Sequence, residues 1–144
     1  MEPTTISVLG LGYIGLPTAG VLCRSGFKVF GTDIDKRIVD GINRGQSHIS
    51  EPDLSETIHA ASQKGLLKAS LDVSAADIHI ICVPTPLQEE HYPPEPDVSF
   101  VLDAVDKLIP VLKEGDLIIL ESTSPLGTTD RIEAKIKMRF GESF

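Results

Sequence analysis

A chain of 144 residues with an ordinary globular composition has the size of one domain with a sizeable core. Its net charge of −8 and isoelectric point near 4.9 exclude a general affinity for nucleic acid or an anionic membrane, though not a local phosphate site. No apolar run reaches membrane-spanning length, and the chain enters a strand pattern within its first residues, so neither a membrane span nor a signal peptide is expected and the location expected is the cytoplasm.

In chain order, the apolar pattern predicts a strand over residues 4–10 and a helix over 14–25, with Pro17 tolerated in its first turn and Gly26 as its C-terminal cap. A second strand follows over 27–33. Asp35 is expected to cap a helix over 36–43, with Ile38, Val39 and Ile42 on one face and Gly45 beyond its end. Asp53 is expected to start a helix over 54–64, closed by Gly65. Residues 66–70 read as a short third strand, and 74–77 as a turn or a single helical turn. Ile78 to Val83 is an almost wholly apolar run, which suits a central parallel strand covered on both faces. Pro84-Thr85-Pro86 stops it, and 87–96 is polar and proline-rich, a mobile surface loop. A helix over 98–113 should be kinked or shortened at Pro110. Leu117 to Leu120 is a further buried strand, and a last helix runs over about 128–139.

Several polar residues carry no chemistry in this reading. Cys23 and Cys82 belong to no CxxC or Cys/His cluster and read as small core residues in a reducing compartment. His48, His59, His79 and His91 are scattered without metal-ligand spacing, so no metal is expected. Glu89, Glu90 and Glu95 read as a solvated charge run. Glu51 and Asp53 resemble paired carboxylates, but capping of the following helix is the preferred reading.

The stretch from Ile6 to Asp33 carries more. It reads as strand, Gly10-Leu11-Gly12-Tyr13-Ile14-Gly15, helix, strand and acid, the layout of a dinucleotide-binding βαβ unit. Gly10 permits a sharp exit from the strand, Gly12 lets the backbone approach a pyrophosphate, and Gly15 lets the helix pack close to the strand. The amides and dipole of the helix start then face an anion. Three spaced glycines are weak alone. The apolar strand before them, the amphipathic helix after them and Asp33, 18 residues beyond Gly15, make the pattern specific. Asp33 suits ribose hydroxyls and would repel a 2′-phosphate, so NAD is expected over NADP.

Strand–helix alternation implies an α/β fold, a doubly wound parallel Rossmann-type sheet with strand order 3-2-1-4-5 in a single domain. The tips at Gly10–Gly15, Asp33, Val83–Thr85 and Glu121–Thr123 should converge at its carboxyl edge.

The glycine turn with Leu16-Pro17, together with Val83-Pro84-Thr85-Pro86 and Glu121-Ser122-Thr123-Ser124-Pro125-Leu126-Gly127-Thr128-Thr129, resembles the amino-terminal NAD-binding domain of the nucleotide-sugar 6-dehydrogenases, the UDP-glucose/GDP-mannose dehydrogenase family. The resemblance covers the whole chain, residues 1–144. The Glu-Ser-Thr-Ser-Pro motif, Asn43-Arg44-Gly45 to His48-Ile49 and Glu51-Pro52-Asp53-Leu54 are most similar to the branch acting on UDP-N-acetyl-D-mannosamine, with UDP-glucose and UDP-N-acetylglucosamine as the alternatives. A free-standing, non-catalytic nucleotide-binding module is a further alternative. The resemblance implies oxidation of the sugar C6 hydroxymethyl group to a carboxylate with two NAD, through a cysteine-bound thiohemiacetal and thioester. That cysteine, the central dimerisation domain and the C-terminal UDP-sugar domain belong to later parts of the family's chains. The expectation is therefore a fragment that binds NAD without turnover.

Residue by residue, the resemblance places the pyrophosphate on the backbone of Gly10, Gly12, Tyr13, Ile14 and Gly15, and the adenosine ribose on Asp33. Arg37 corresponds to a position flanking adenine or ribose, with a solvated helix charge as the other reading. Thr85 corresponds to a contact near the nicotinamide ribose, and Val83, before it, is a further cofactor-binding position. Thr123 corresponds to a catalytic threonine beside the nicotinamide, holding cofactor and a reacting water. For both threonines the other reading is loop capping. Glu121 either contributes there or satisfies local backbone N–H groups. Expected partners are a UDP-sugar in the full enzyme and further copies in a homo-oligomer. An uncovered edge at the 117–120 strand is expected to favour self-association.

Overall fold

The computed structural model describes residues 3–90 and 92–141. His91 lies outside the described residues. Five parallel strands form the main sheet in the order β3-β2-β1-β4-β7. They are β1 Thr5–Leu9, β2 Lys28–Thr32, β3 Leu67–Ser70, β4 Ile78–Ile81 and β7 Leu117–Leu120. This is the expected 3-2-1-4-5 order of the main strands, because β5 Leu87–Gln88 and β6 Glu95–Pro96 form a separate two-stranded ribbon. The surface loop expected over 87–96 thus contains a small antiparallel pair.

The helices are α1 Gly15–Arg24, α2 Lys36–Asn43, α3 Pro52–Gln63, α4 Ser99–Leu108 and α5 Thr128–Phe140. Strand side chains alternate, so each central strand feeds two cores. Ile6, Val8 and Ile80 pack with Leu16, Ala19, Ile42 and Ile58 of α1, α2 and α3. Leu9 and Ile81 pack with Val101, Val105 and Leu108 of α4 and Ile132 of α5. This is why the central strand is apolar on both faces.

Local chemistry sets the element ends. Asp35 caps α2 by accepting the Arg37 N–H at 2.8 Å. Pro110 has no amide to continue α4, and the helix gives way to a short 3-10 turn over Ile109–Val111. Residues 74–77 form no helical turn. Their path is held by the Asp77 carboxylate, which accepts both the N–H and the hydroxyl of Thr5 at 2.8 Å.

Two expectations need correction. The helix expected to start with Asp53 begins at Pro52, and neither Glu51 nor Asp53 caps it through a side chain. Glutamate is one methylene longer than the residues that reach the first-turn amides, and Asp53 already lies inside the turn, where its charge meets the helix dipole. The strand Leu117–Leu120 is not buried. It pairs with β4 alone, Leu117 and Ile119 are 51% and 40% exposed, and Ile118 and Leu120 are half-buried. Among the described residues no strand pairs with its outer edge. An apolar groove of about 300 Å³ runs between it and α5.

A small group of polar side chains is buried toward the amino edge of the sheet. His79 is fully buried in β4 with Ser7 of β1 as its register partner. Its Nε2 lies 3.5 Å from Asp116 Oδ2, too far for a strong hydrogen bond, and Asp116 is ion-paired with Lys113. Burial pushes the imidazole pKa below its ordinary 6.5, and the Asp116 carboxylate only partly offsets this. A base whose folded pKa is lowered binds its proton preferentially in the unfolded chain. The stability is therefore complete above pH 6.5 and falls below it, by at most about 1.4 kcal/mol per pH unit. Urea unfolding should show the midpoint dropping as pH falls from 6.5, and His79→Gln should flatten that dependence. Identical pH dependence in the two proteins would contradict a buried neutral imidazole.

Candidate functional site

The carboxyl ends of β1, β2, β4 and β7 open into one cleft of about 1060 Å³. That exceeds the roughly 300–1,000 Å³ typical of drug-sized ligands and suits an extended one. Gly10, Gly12, Tyr13 and Ile14 line it from the β1–α1 turn, Thr32, Asp33 and Ile34 from the end of β2, Cys82 to Thr85 from the end of β4, and Glu121 to Thr123 from the end of β7. Four of the expected tips therefore meet at one place.

The glycine turn is built by close approach. Gly10 has φ +92°, and its N–H donates to Thr32 O at 2.8 Å, tying the turn to β2. A Cβ on Gly15 would lie 1.7 Å from the Gly10 carbonyl oxygen, so no side chain fits. A Cβ on Gly12 would meet nothing within 4 Å. That position opens onto the cleft, and its glycine serves the space outside the fold. The i→i−4 ladder of α1 begins where Leu16 N–H donates to Gly12 O at 3.1 Å, leaving the amides just before it at a helix start, where an anion is favoured. Tyr13 and Ile14 point their side chains outward, 81% and 57% exposed, so their backbone is what the turn offers a ligand.

Asp33 is anchored by two amides. Its Oδ2 accepts the Leu11 N–H at 3.0 Å and its Oδ1 the Asp35 N–H at 2.9 Å. Each oxygen keeps lone-pair capacity for a hydroxyl. Arg37 lies outside the cleft lining. Its side chain is 91% exposed and forks onto Asp35, with Nη2 at 2.7 Å from Oδ2 and Nε at 3.1 Å from Oδ1.

The far wall is stitched together. Thr85 donates its hydroxyl to Thr123 O at 2.6 Å, and Ser122 donates to Val83 O at 2.8 Å. Val83, Thr85 and Thr123 thus share one wall. Glu121 does not satisfy backbone amides. Its carboxylate accepts the Thr18 hydroxyl at 3.0 Å and lies 3.2 Å from Cys82 Sγ. Burial, reinforced by Glu121, drives the Cys82 thiol far up in pKa, and burial pushes Cys23 up to about 11. Neither thiol is an activated nucleophile. Sequence reasoning also misses Phe100, Asp103, Asp106 and Lys107, which α4 contributes to the cleft wall, because the helical pattern reports only its apolar face. Among the described residues no group of three His, Cys, Asp or Glu side chains is placed to hold a metal ion.

Comparison with known proteins gives this geometry a context. Residues 4–143 match the family model described as the UDP-glucose/GDP-mannose dehydrogenase family, NAD binding domain. The chain is 48% identical over 132 residues to the UDP-N-acetyl-D-mannosamine dehydrogenase of Escherichia coli K12, covering 92% of this chain and 31% of that protein. It is also 48% identical over 128 residues to the NDP-N-acetyl-D-galactosaminuronic acid dehydrogenase of Ralstonia nicotianae, covering 89% of this chain and 30% of that one. The native structure of the UDP-N-acetyl-mannosamine dehydrogenase Cap5O from Staphylococcus aureus superposes with a TM-score of 0.91 at 37% identity, over 98% of this chain and 34% of the other. The chain thus spans about a third of the length of these relatives.

The two glycines give opposite expectations. Gly15→Ala should destabilise the fold by about 1–3 kcal/mol or more through overlap with Gly10. Gly12→Ala should unfold like the wild type but bind NAD about ten-fold or more weakly. Denaturant melts and calorimetric titration separate these, and unchanged NAD binding by Gly12→Ala would place the cofactor elsewhere.

Proposed function

The chain belongs to the UDP-glucose/GDP-mannose dehydrogenase family, and we propose that it is the NAD-binding domain of an enzyme that oxidises C6 of UDP-N-acetyl-D-mannosamine to the uronate in two NAD-dependent steps. The observation that carries this reading is a single cleft in which an open glycine cradle, an anchored acid and the Thr85–Thr123 wall meet at the carboxyl edge of the sheet. NAD bound there supplies the hydride acceptor.

The chain's own residues bind and orient. Backbone amides from Gly10 to Gly15, including those of Tyr13 and Ile14, hold the pyrophosphate. Asp33 accepts the adenosine ribose hydroxyls. Val83 and Thr85 border the nicotinamide ribose. Thr123 is the catalytic contact, holding the nicotinamide and a reacting water. The 144 residues alone bind NAD without turnover. The two buried thiols are held protonated, which supports a nucleophile from elsewhere in the enzyme. The assembled enzyme is a cytoplasmic homo-oligomer, with the open edge of β7 as a surface for association.

A second sugar has equal identity behind it, since the Ralstonia relative is as similar as the Escherichia one. Assay of the longest reading frame carrying this chain, with each nucleotide sugar in turn, separates the two readings.

Calorimetry should show NAD binding the wild type more tightly than NADP. Asp33→Ala should weaken NAD by a few-fold to roughly 100-fold, the range for a lost charge-assisted hydrogen bond of about 1–3 kcal/mol. The chain with NAD and UDP-N-acetyl-D-mannosamine should produce no NADH absorbance. NADP binding as well as NAD would overturn the role of Asp33, and steady NADH formation would overturn the division of labour.

A further inference from the structure

We propose that Asp35 is a specificity-determining residue: it enforces the choice of NAD over NADP by engaging the Arg37 guanidinium that would otherwise pair with a 2′-phosphate. The inference rests on the cleft being the NAD site. It goes beyond Asp33, whose charge alone is the usual explanation for the preference.

A 2′-phosphate on an adenosine ribose held by Asp33 would lie against the turn that leaves β2, residues 34–37. An arginine at such a place is what accommodates that phosphate in NADP-binding members of this fold. The sequence supplies two cations there, Lys36 and Arg37. Left free, either would offset the repulsion from Asp33, because guanidinium groups pair readily with phosphate oxygens.

Neither is free. Lys36 Nζ lies 2.6 Å from Asp40 Oδ2, one helical turn away. Arg37 is gripped more elaborately. The Asp35 carboxylate accepts the Arg37 backbone N–H at 2.8 Å, and this fixes the acid as the cap of α2. The same carboxylate then takes the guanidinium through both Nε and Nη2. A fork onto an acid that the backbone has already oriented restrains the arginine more than a pair of mobile surface chains would. The Asp35 N–H in turn donates to Asp33 Oδ1, so the ribose acid and the arginine clamp are consecutive links of one chain of hydrogen bonds. Asp35 also adds negative charge of its own beside the phosphate position.

A residue that only caps α2 would be replaceable by another good cap. Serine and asparagine both cap helices well, and neither carries a charge to hold Arg37. The test is calorimetric titration of wild type, Asp35→Ser, Asp35→Asn and the double variant Asp35→Ser/Arg37→Ala with NAD and NADP, with thermal melts to show that α2 and the fold persist. The expected result is NADP affinity raised about ten-fold or more in Asp35→Ser and Asp35→Asn, with NAD affinity within about two-fold of wild type. That gain should disappear in the double variant. Unchanged NADP affinity in both folded single variants overturns the inference while leaving the NAD site intact. A gain that survives loss of Arg37 also overturns it, because charge removal alone would then suffice. A wild type that binds neither dinucleotide overturns the site assignment and the inference together.

Discussion

The start of α1 lies so close to the end of β1 that a methyl group on Gly15 would overlap the Gly10 carbonyl oxygen. The cleft at the carboxyl edge depends on that approach. It brings the amides of the helix start to the carboxyl edge of the sheet, where the dipole of α1 and its unpaired N–H groups act together. It also sets Leu11 where its N–H meets Asp33 Oδ2, so the glycine turn and Asp33 are positioned by one hydrogen bond across the β1–β2 crossover. Gly12 contributes by leaving open the space above the turn.

The opposite wall is held by different means. Loops after β4 and β7 have no ladder of their own, and hydroxyls replace it: Ser122 onto Val83 O and Thr85 onto Thr123 O. Glu121 then reaches back to Thr18, linking the end of β7 to α1, 103 residues earlier. The wall that would face the reacting end of a dinucleotide is thereby referenced to the helix that would hold its phosphates. The amino edge of the sheet carries the fold's own polar load, with His79, Asp116, Lys113 and Asp77 gathered away from the cleft.

Local chemistry makes much of this legible in the sequence. The limits of α2 follow from Asp35 as a cap and an apolar stripe of Val39 and Ile42. The strand order follows from strand–helix alternation and right-handed crossovers, and the cleft from the reversal of order beside β1. The rest depends on neighbours that a local pattern does not encode. Leu117–Leu120 has the composition of a central strand, but burial is a property of what lies beside it, and β7 is an edge. The partners of Glu121 come from α1 and β4, distant in sequence. Arg37 was readable as a cation near the ribose. Its capture by Asp35 required the side-chain geometry of the α2 cap.

The central claim is that the β1–α1 turn, Asp33 and the Thr85–Thr123 wall form one NAD site. Titrating NAD into isotopically labelled protein while following backbone amide shifts tests it most directly. The account predicts the largest changes at Gly12, Tyr13, Ile14 and Gly15, with further changes at Ile34, Thr85 and Thr123. Changes confined to the groove between β7 and α5, with the Gly12 to Gly15 amides unmoved, would contradict it.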